Sequence, residues 1–176
     1  MSALPPFEEV LSSKPEPGSP LAHTLTTLFE ASPILFSDLL PGVVSKWDAG
    51  LKASFIAGHP RIGEVKGLSH LSSQEQAARA TPPEVLVRLA HLNACYEHRY
   101  PGLRYITFVN GRSRSAIKDE MEGVLGFEPS LSPDKPLLEA AGSIEVGSEE
   151  WIRELERAIG DLGKIAQSRL QAVGAT

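Results

Sequence analysis

Apolar residues recur at three- and four-residue steps through most of this chain, and that spacing restricts it to a helical fold. The pattern is clearest near the C-terminus, where Trp151, Leu155, Ala158, Leu162, Ile165 and Arg169 fall on one stripe. Ser148-Glu149-Glu150 opens that helix and sets acids at the positive end of its dipole. Gly160 and Gly163 each weaken it by about 1 kcal/mol, so packing must hold it. The same spacing joins Leu21, Leu25, Leu28 and Phe29. It joins Ile34, Leu35, Leu39 and Leu40 behind a Ser32-Pro33 start, and then Val44, Trp47, Leu51 and Phe55. Thr81-Pro82-Pro83 starts a further helix, whose broad apolar face carries Val85, Leu86, Leu89, Leu92, Asn93 and Tyr96. Asn93 and Tyr96 are polar groups on an apolar stripe and need partners inside. Ile117, Met121, Val124 and Leu125 mark a helix beginning at about Ser113 or Ser115.

Breakers divide these helices. Pro41-Gly42 and Tyr100-Pro101-Gly102 end two of them, and Gly58, two residues before Pro60, is expected as a left-handed C′ glycine. Only Tyr105-Ile106-Thr107-Phe108-Val109, before Asn110-Gly111, reads as extended. The expected fold is therefore all-α: a single-domain multi-helix bundle with one short extended segment near 104–109. Residues 1–20 contain Pro5, Pro6, Pro15, Pro17 and Pro20 and are expected to form an irregular arm, with at most a turn of helix at Phe7 to Leu11. The helical domain spans 21–176. Within it, residues 126–147 hold three prolines and three glycines and read as a long loop or insertion, with a single turn near Leu137 to Ala141.

Composition removes several classes of function. A net charge of -5 argues against nucleic acid, whose phosphates select basic surfaces. No apolar run approaches the ~20 residues that span a bilayer. Met1 to Pro6 lacks the basic and apolar regions of a secretory signal, and the final Val-Gly-Ala-Thr is not a Ser-Lys-Leu-type peroxisomal address. Cys95 is the single cysteine and reads as packing. His23, His59, His70, His91 and His98 show no metal-ligand spacing, so no metal is expected. The chain has no phosphate-binding glycine loop and no G-x-S-x-G nucleophile motif. Gly111-Arg112-Ser113-Arg114 is basic but too short to argue for phosphate or RNA.

Chemistry concentrates in His59-Pro60-Arg61-Ile62-Gly63 and the following Ser72-Ser73-Gln74-Glu75-Gln76. An imidazole with a reference pKa of about 6.5 can give or take a proton at neutral pH. The plain alternative for His59 is a solvent-facing turn residue. Ser72-x-x-Glu75 has the form of a capping box, so Glu75 has a structural reading as well. Backbone N–H groups at such a helix start also bind anions. Arg169 is either a cation at a helix C-terminus or an inward guanidinium able to grip a carboxylate.

Taken in order, His59-Pro60-x-Ile62-Gly63, Ser72-x-x-Glu75-Gln76, Leu92-Asn93-x-x-Tyr96, Tyr105 to Val109 and Ile165-x-x-x-Arg169-Leu170 resemble the 2-oxo-4-hydroxy-4-carboxy-5-ureidoimidazoline (OHCU) decarboxylase family. Those enzymes form (S)-allantoin and CO2 in urate degradation. The resemblance implies an all-helical fold, no cofactor, a small-molecule substrate and a homodimer, in the cytoplasm or peroxisome. It implies catalytic roles for His59, Glu75 and Arg169. It implies substrate contacts at Pro60, Ser72, Ser73, Gln74 and Gln76, and at Tyr105, Ile106, Thr107, Phe108 and Val109. Arg61 and Ile62, the run Tyr100 to Tyr105, and the 126–147 insertion depart from the family pattern. Two other readings are a decarboxylase of a related ureido or imidazoline acid, and a helical interaction module that kept the fold and lost activity. The module would bind partners through the proline-rich arm or the insertion.

The two roles of Glu75 separate by mutation. Glu75→Gln retains much of the cap while removing the charge. It is expected to cost at most ~1 kcal/mol of stability and most of the turnover. A lowered melting temperature with normal kinetics would make Glu75 a capping residue alone.

Overall fold

The computed structural model describes residues 5–14, 16–28, 47–64 and 81–172. Six α-helices account for most of them: α1 (Phe7–Ser12), α2 (Pro20–Leu28), α3 (Ala49–Ala57), α4 (Pro83–Arg99), α5 (Arg114–Leu125) and α6 (Glu149–Ala172). No strand occurs among the described residues, so the architecture is all-α. The helix expected behind Ser32-Pro33 and the capping box at Ser72 lie outside the described residues, as does Val44.

Local chemistry explains where the helices begin. Asp48 caps α3 by accepting from the Leu51 N–H at 2.9 Å, so Trp47 sits before that helix and not on it. Trp47 is still core, meeting the Phe55 ring edge-on at 5.5 Å. Gly58 differs from expectation. It is the C-cap with φ -72, in the right-handed region, and not a left-handed C′ glycine. Ser113 caps α5 by accepting from the Ala116 N–H, and Gly126 closes it in the left-handed conformation. Asn110 and Gly111, both with positive φ, make the turn into α5, which the Arg112 N–H closes on the Val109 carbonyl at 2.9 Å. The proline-rich start carries the full short helix α1, packed on α2, where one turn was expected.

The core lies between α3, α4, α5 and α6 and centres on Ile56, Leu89, Leu92, Tyr96, Leu103, Ile117, Met121 and Leu155. The stripe expected on α6 is inward: Trp151, Leu155, Ala158, Leu162 and Arg169 are buried and Ile165 is half-buried. The polar groups on α4 find partners inside, as their position requires. The Asn93 amide donates to the Ile62 carbonyl at 3.0 Å and to the Leu89 carbonyl at 2.8 Å. Tyr96 donates its hydroxyl to Glu154 of α6.

Residues 126–147 form the long connection between α5 and α6, with one 3-10 turn at Leu138–Ala141. A buried charge cluster fastens it. Arg88 and Glu122 are wholly buried, with 2.7 Å between guanidinium and carboxylate, and Lys118 reaches the same carboxylate at 2.8 Å. Arg88 also donates to the carbonyls of Ser132 and Lys135, and Lys118 to that of Ser130. Glu122 accepts from the Ser130 N–H at 3.1 Å, and the His91 ring meets the Pro136 carbonyl at 2.8 Å. The connection is therefore a strap that supplies acceptors to charges inside the domain. Its sequence signals loop, but the partners lie on α4 and α5.

None of residues 126–147 lines the cavity that contains His59. Replacing Ser130 to Ser143 with a short Gly/Ser linker strips acceptors from two buried cations. Stability measured by urea unfolding should fall by ~2 kcal/mol or more, since a stranded buried polar group costs roughly 1–3 kcal/mol. In the same variant kcat/KM is expected to change less than about tenfold. A larger kinetic loss in a cooperatively folding variant would place the strap in the active site.

Candidate active site

A cavity of about 590 Å³ opens between the turn after α3, the segment leading into α5, and the C-terminal half of α6. His59, Pro60, Ile62 and Gly63 form one wall. Ile106, Thr107, Phe108 and Val109 form a second and continue through Asn110 to Arg114. Leu162, Ile165, Ser168 and Arg169 form the third.

The end of α3 sets His59. Its N–H bonds the Ile56 carbonyl at 3.0 Å, and its Nδ1 lies 3.0 Å from the Phe55 carbonyl. A carbonyl only accepts, so Nδ1 carries the hydrogen and a neutral ring holds its lone pair on Nε2. The ring meets Phe55 edge-on at 5.0 Å, and the residue is only 6% exposed, which excludes the solvent-facing reading. Arg104 donates to the His59 carbonyl from the other side. Arg61, a departure from the family pattern, donates through Nε and Nη2 to both Glu97 oxygens at 2.6 and 3.0 Å, and Glu64 accepts from its backbone N–H at 2.8 Å. The turn is thus tied to α4. Gly63 has φ +88, and a Cβ there would touch the Leu89 side chain at 3.4 Å, so glycine allows the turn to lie against the core.

Of the expected site residues, His59, Pro60, Ile106, Thr107, Phe108, Val109 and Arg169 come together around this cavity. Arg169 is 6% exposed and faces it from the last turns of α6. Tyr105 does not line it. Its ring is core and its hydroxyl donates to Glu120. Glu75, Ser72, Ser73, Gln74 and Gln76 lie outside the described residues.

Sequence reasoning missed Thr81, Arg112 and Arg114, which also line the cavity. Arg114 donates to the Thr81 hydroxyl at 3.2 Å, and burial lowers its pKa from the ordinary arginine value. The signal for both arginines was their position just after Asn110-Gly111, which turns the chain at the rim. Among the described lining residues there are three arginines and a histidine and no carboxylate. A wall so charged suits an anionic ligand of small-molecule size. Among the described residues no group of His, Cys, Asp and Glu is arranged to hold a metal ion, and no helix is long and apolar enough to cross a membrane.

Glu120 stands behind this wall. Burial opposes its charge, but hydrogen bonds from Tyr105 and Thr107 and the nearby Arg112 guanidinium outweigh that and hold its carboxyl below the usual range. Burial and the Glu120 carboxylate together push the Tyr105 phenol far above its ordinary pKa, so it stays a donor.

The helical fold and the cationic cavity beside a buried histidine define a small-molecule site of the kind an enzyme uses for acid–base work on an anion. The family model for OHCU decarboxylase matches residues 17–130, about two thirds of the chain, and the chain belongs to that family. The match includes His59 and the 106–114 wall and stops before α6, which supplies Arg169. No curated protein and no solved structure gives a significant match.

The depressed Glu120 carboxyl makes a pH prediction with a definite sign. Its contribution to stability is present above the unfolded value of about 4.3 and is lost as pH falls through the lower folded value. The stability difference between wild type and Glu120→Gln should be steady from about pH 7 to 5 and narrow below about pH 4. A difference that persists unchanged at low pH would remove the charge of Glu120 from the account.

Proposed function

We propose that the protein is a cofactor-independent decarboxylase that converts OHCU to (S)-allantoin and CO2, acting as a homodimer. The reading rests on one observation above all: a protein of this family brings a buried histidine and a buried arginine that are far apart in sequence to the same cavity.

The chemistry asks little beyond positioning and proton transfer. OHCU carries its carboxylate on a carbon that also bears a hydroxyl, beside an unsaturated ring. Breaking the bond to the carboxylate releases CO2 and leaves an electron pair that the ring absorbs, so no external electron sink is required. The carbon then takes up one proton from one face, which balances the loss of the carboxylate charge and sets the configuration of allantoin. Arg169 is assigned to the carboxylate or a ring carbonyl, which a guanidinium can bind through two parallel bonds. His59 is assigned to proton transfer. Its Nδ1–H bond to the Phe55 carbonyl makes Nε2 the basic atom, and the buried ring is fixed before substrate arrives. Glu75 is assigned to orienting His59 and to binding substrate nitrogen or hydroxyl. Pro60, Ser72, Ser73, Gln74, Gln76 and the backbone of Tyr105 to Val109 complete the substrate contacts in this reading.

His59→Asn should lower kcat by a factor on the order of 10² to 10⁴, the usual contribution of a positioned acid or base. Turnover is followed by the optical activity of allantoin, with OHCU made in place from urate. Near-normal turnover in a folded variant would take His59 out of the mechanism. Inactivity of the wild-type protein toward OHCU would leave the related-acid and interaction-module readings.

A further inference from the structure

The wall formed by residues 106–109 has an unusual distribution of hydrogen-bonding groups. Three of its four carbonyl oxygens, those of Ile106, Phe108 and Val109, accept from guanidinium groups. Arg157 donates to the Ile106 carbonyl at 2.9 Å. Arg112 donates to the Phe108 carbonyl at 2.6 Å and, through Nε, to the Val109 carbonyl at 3.1 Å. The Thr107 hydroxyl accepts from Arg112 at 2.8 Å and donates to Glu120 at 3.0 Å. Glu120 in turn pairs with Arg112 and accepts from Tyr105. The backbone N–H groups of Thr107, Phe108 and Val109, by contrast, find no acceptor among the described residues. These residues line the cavity, so their N–H groups are donors left for a ligand that brings acceptors to it.

We propose that Arg112, anchored by Glu120, is a positioning residue that turns the 107–109 wall into a donor surface for the carbonyl and carboxylate oxygens of the ligand. The guanidinium is the group suited to this role. It carries donors in a fixed planar fork, and here that fork spans two carbonyls, a hydroxyl and a carboxylate at once. With the Phe108 and Val109 carbonyls engaged by Arg112, these positions offer N–H groups to the ligand. Such preorganised donors favour an acceptor-rich anion over a molecule of similar shape whose facing edge carries N–H groups. This inference deepens the decarboxylase reading and rests on it for the identity of the ligand, OHCU. The clamp itself is a property of the fold.

The test uses the full-length protein as wild type, Arg112→Lys and Arg112→Gln, with two readouts. In the first, (S)-allantoin is the stable probe, and ¹H–¹⁵N spectra follow the amides of Thr107, Phe108 and Val109. In wild type these amides are expected to shift downfield on binding, and in both variants that response should be lost. In the second, turnover of OHCU is measured. KM is expected to rise tenfold or more in both variants, while kcat falls less than it does in His59→Asn. Lysine keeps the charge but cannot span the acceptors, so recovery of wild-type KM and amide shifts by Arg112→Lys would reduce Arg112 to a charge and overturn the clamp. Absence of amide shifts in wild type at saturating allantoin would overturn the donor wall even if turnover is normal. Absence of wild-type turnover would overturn the decarboxylase reading. Should Arg112→Gln fail to fold, Glu120→Gln, which frees the anchor but leaves Arg112 in place, must still raise KM above wild type. An unchanged KM there would equally overturn the clamp.

Discussion

Helix α4 buries polar groups it cannot satisfy by itself, and the rest of the molecule is arranged to satisfy them. Arg88 requires Glu122 on α5 and carbonyls of the strap. Asn93 reaches the Ile62 carbonyl in the turn beside His59. Tyr96 reaches Glu154 on α6. Each bond ties a different element to one helix. Breaking a buried ion pair by removing one partner costs roughly 3–5 kcal/mol, and stranding a neutral group costs about 1–3 kcal/mol. These penalties exceed the gain from most single apolar contacts, so they select one packing from the many that an apolar stripe alone would allow.

The site inherits that order. The turn carrying His59 is held to α4 by Asn93 and by the Arg61–Glu97 pair. The opposite wall is held to α5 through Glu120 and to α6 through Arg157. Arg157 also bonds Glu154, the same carboxylate that accepts from Tyr96, and lies over the Tyr105 ring at 5.3 Å. The turn carrying His59 and the 106–109 wall are therefore tied to neighbouring helices. Catalysis by positioning needs this, because a displacement of a fraction of an ångström is enough to lose a near-attack geometry.

The departures from the family pattern acquire physical meaning in this frame. Arg61 stands where an acidic or polar residue is usual and forms a bidentate ion pair that pins the turn carrying His59. Segment 126–147 is stitched to buried charges on α4 and α5, so it belongs to the stability of the domain. Its entropic cost is modest because loop closure grows only logarithmically with length.

Sequence by itself determined the helical class, the breaks between helices, the inward face of α6 and the segment that would carry the histidine. Those features follow from local rules: apolar spacing, proline and glycine stereochemistry, and capping side chains act over a few residues. The inward direction of Arg169 was legible for the same reason, since it lies on the stripe of Leu162 and Ile165. Gly58 was misjudged because its conformation follows the exit path of the chain. The cluster of Arg88, Lys118 and Glu122 was invisible, because charged residues on a helix ordinarily face water and only the partners across the core make burial tolerable. Arg112 and Arg114 looked like a short basic run on the surface. Tertiary structure alone decided that the chain folds back, so that residues 59, 107, 112 and 169 share one cavity, because that convergence depends on contacts between elements far apart in sequence.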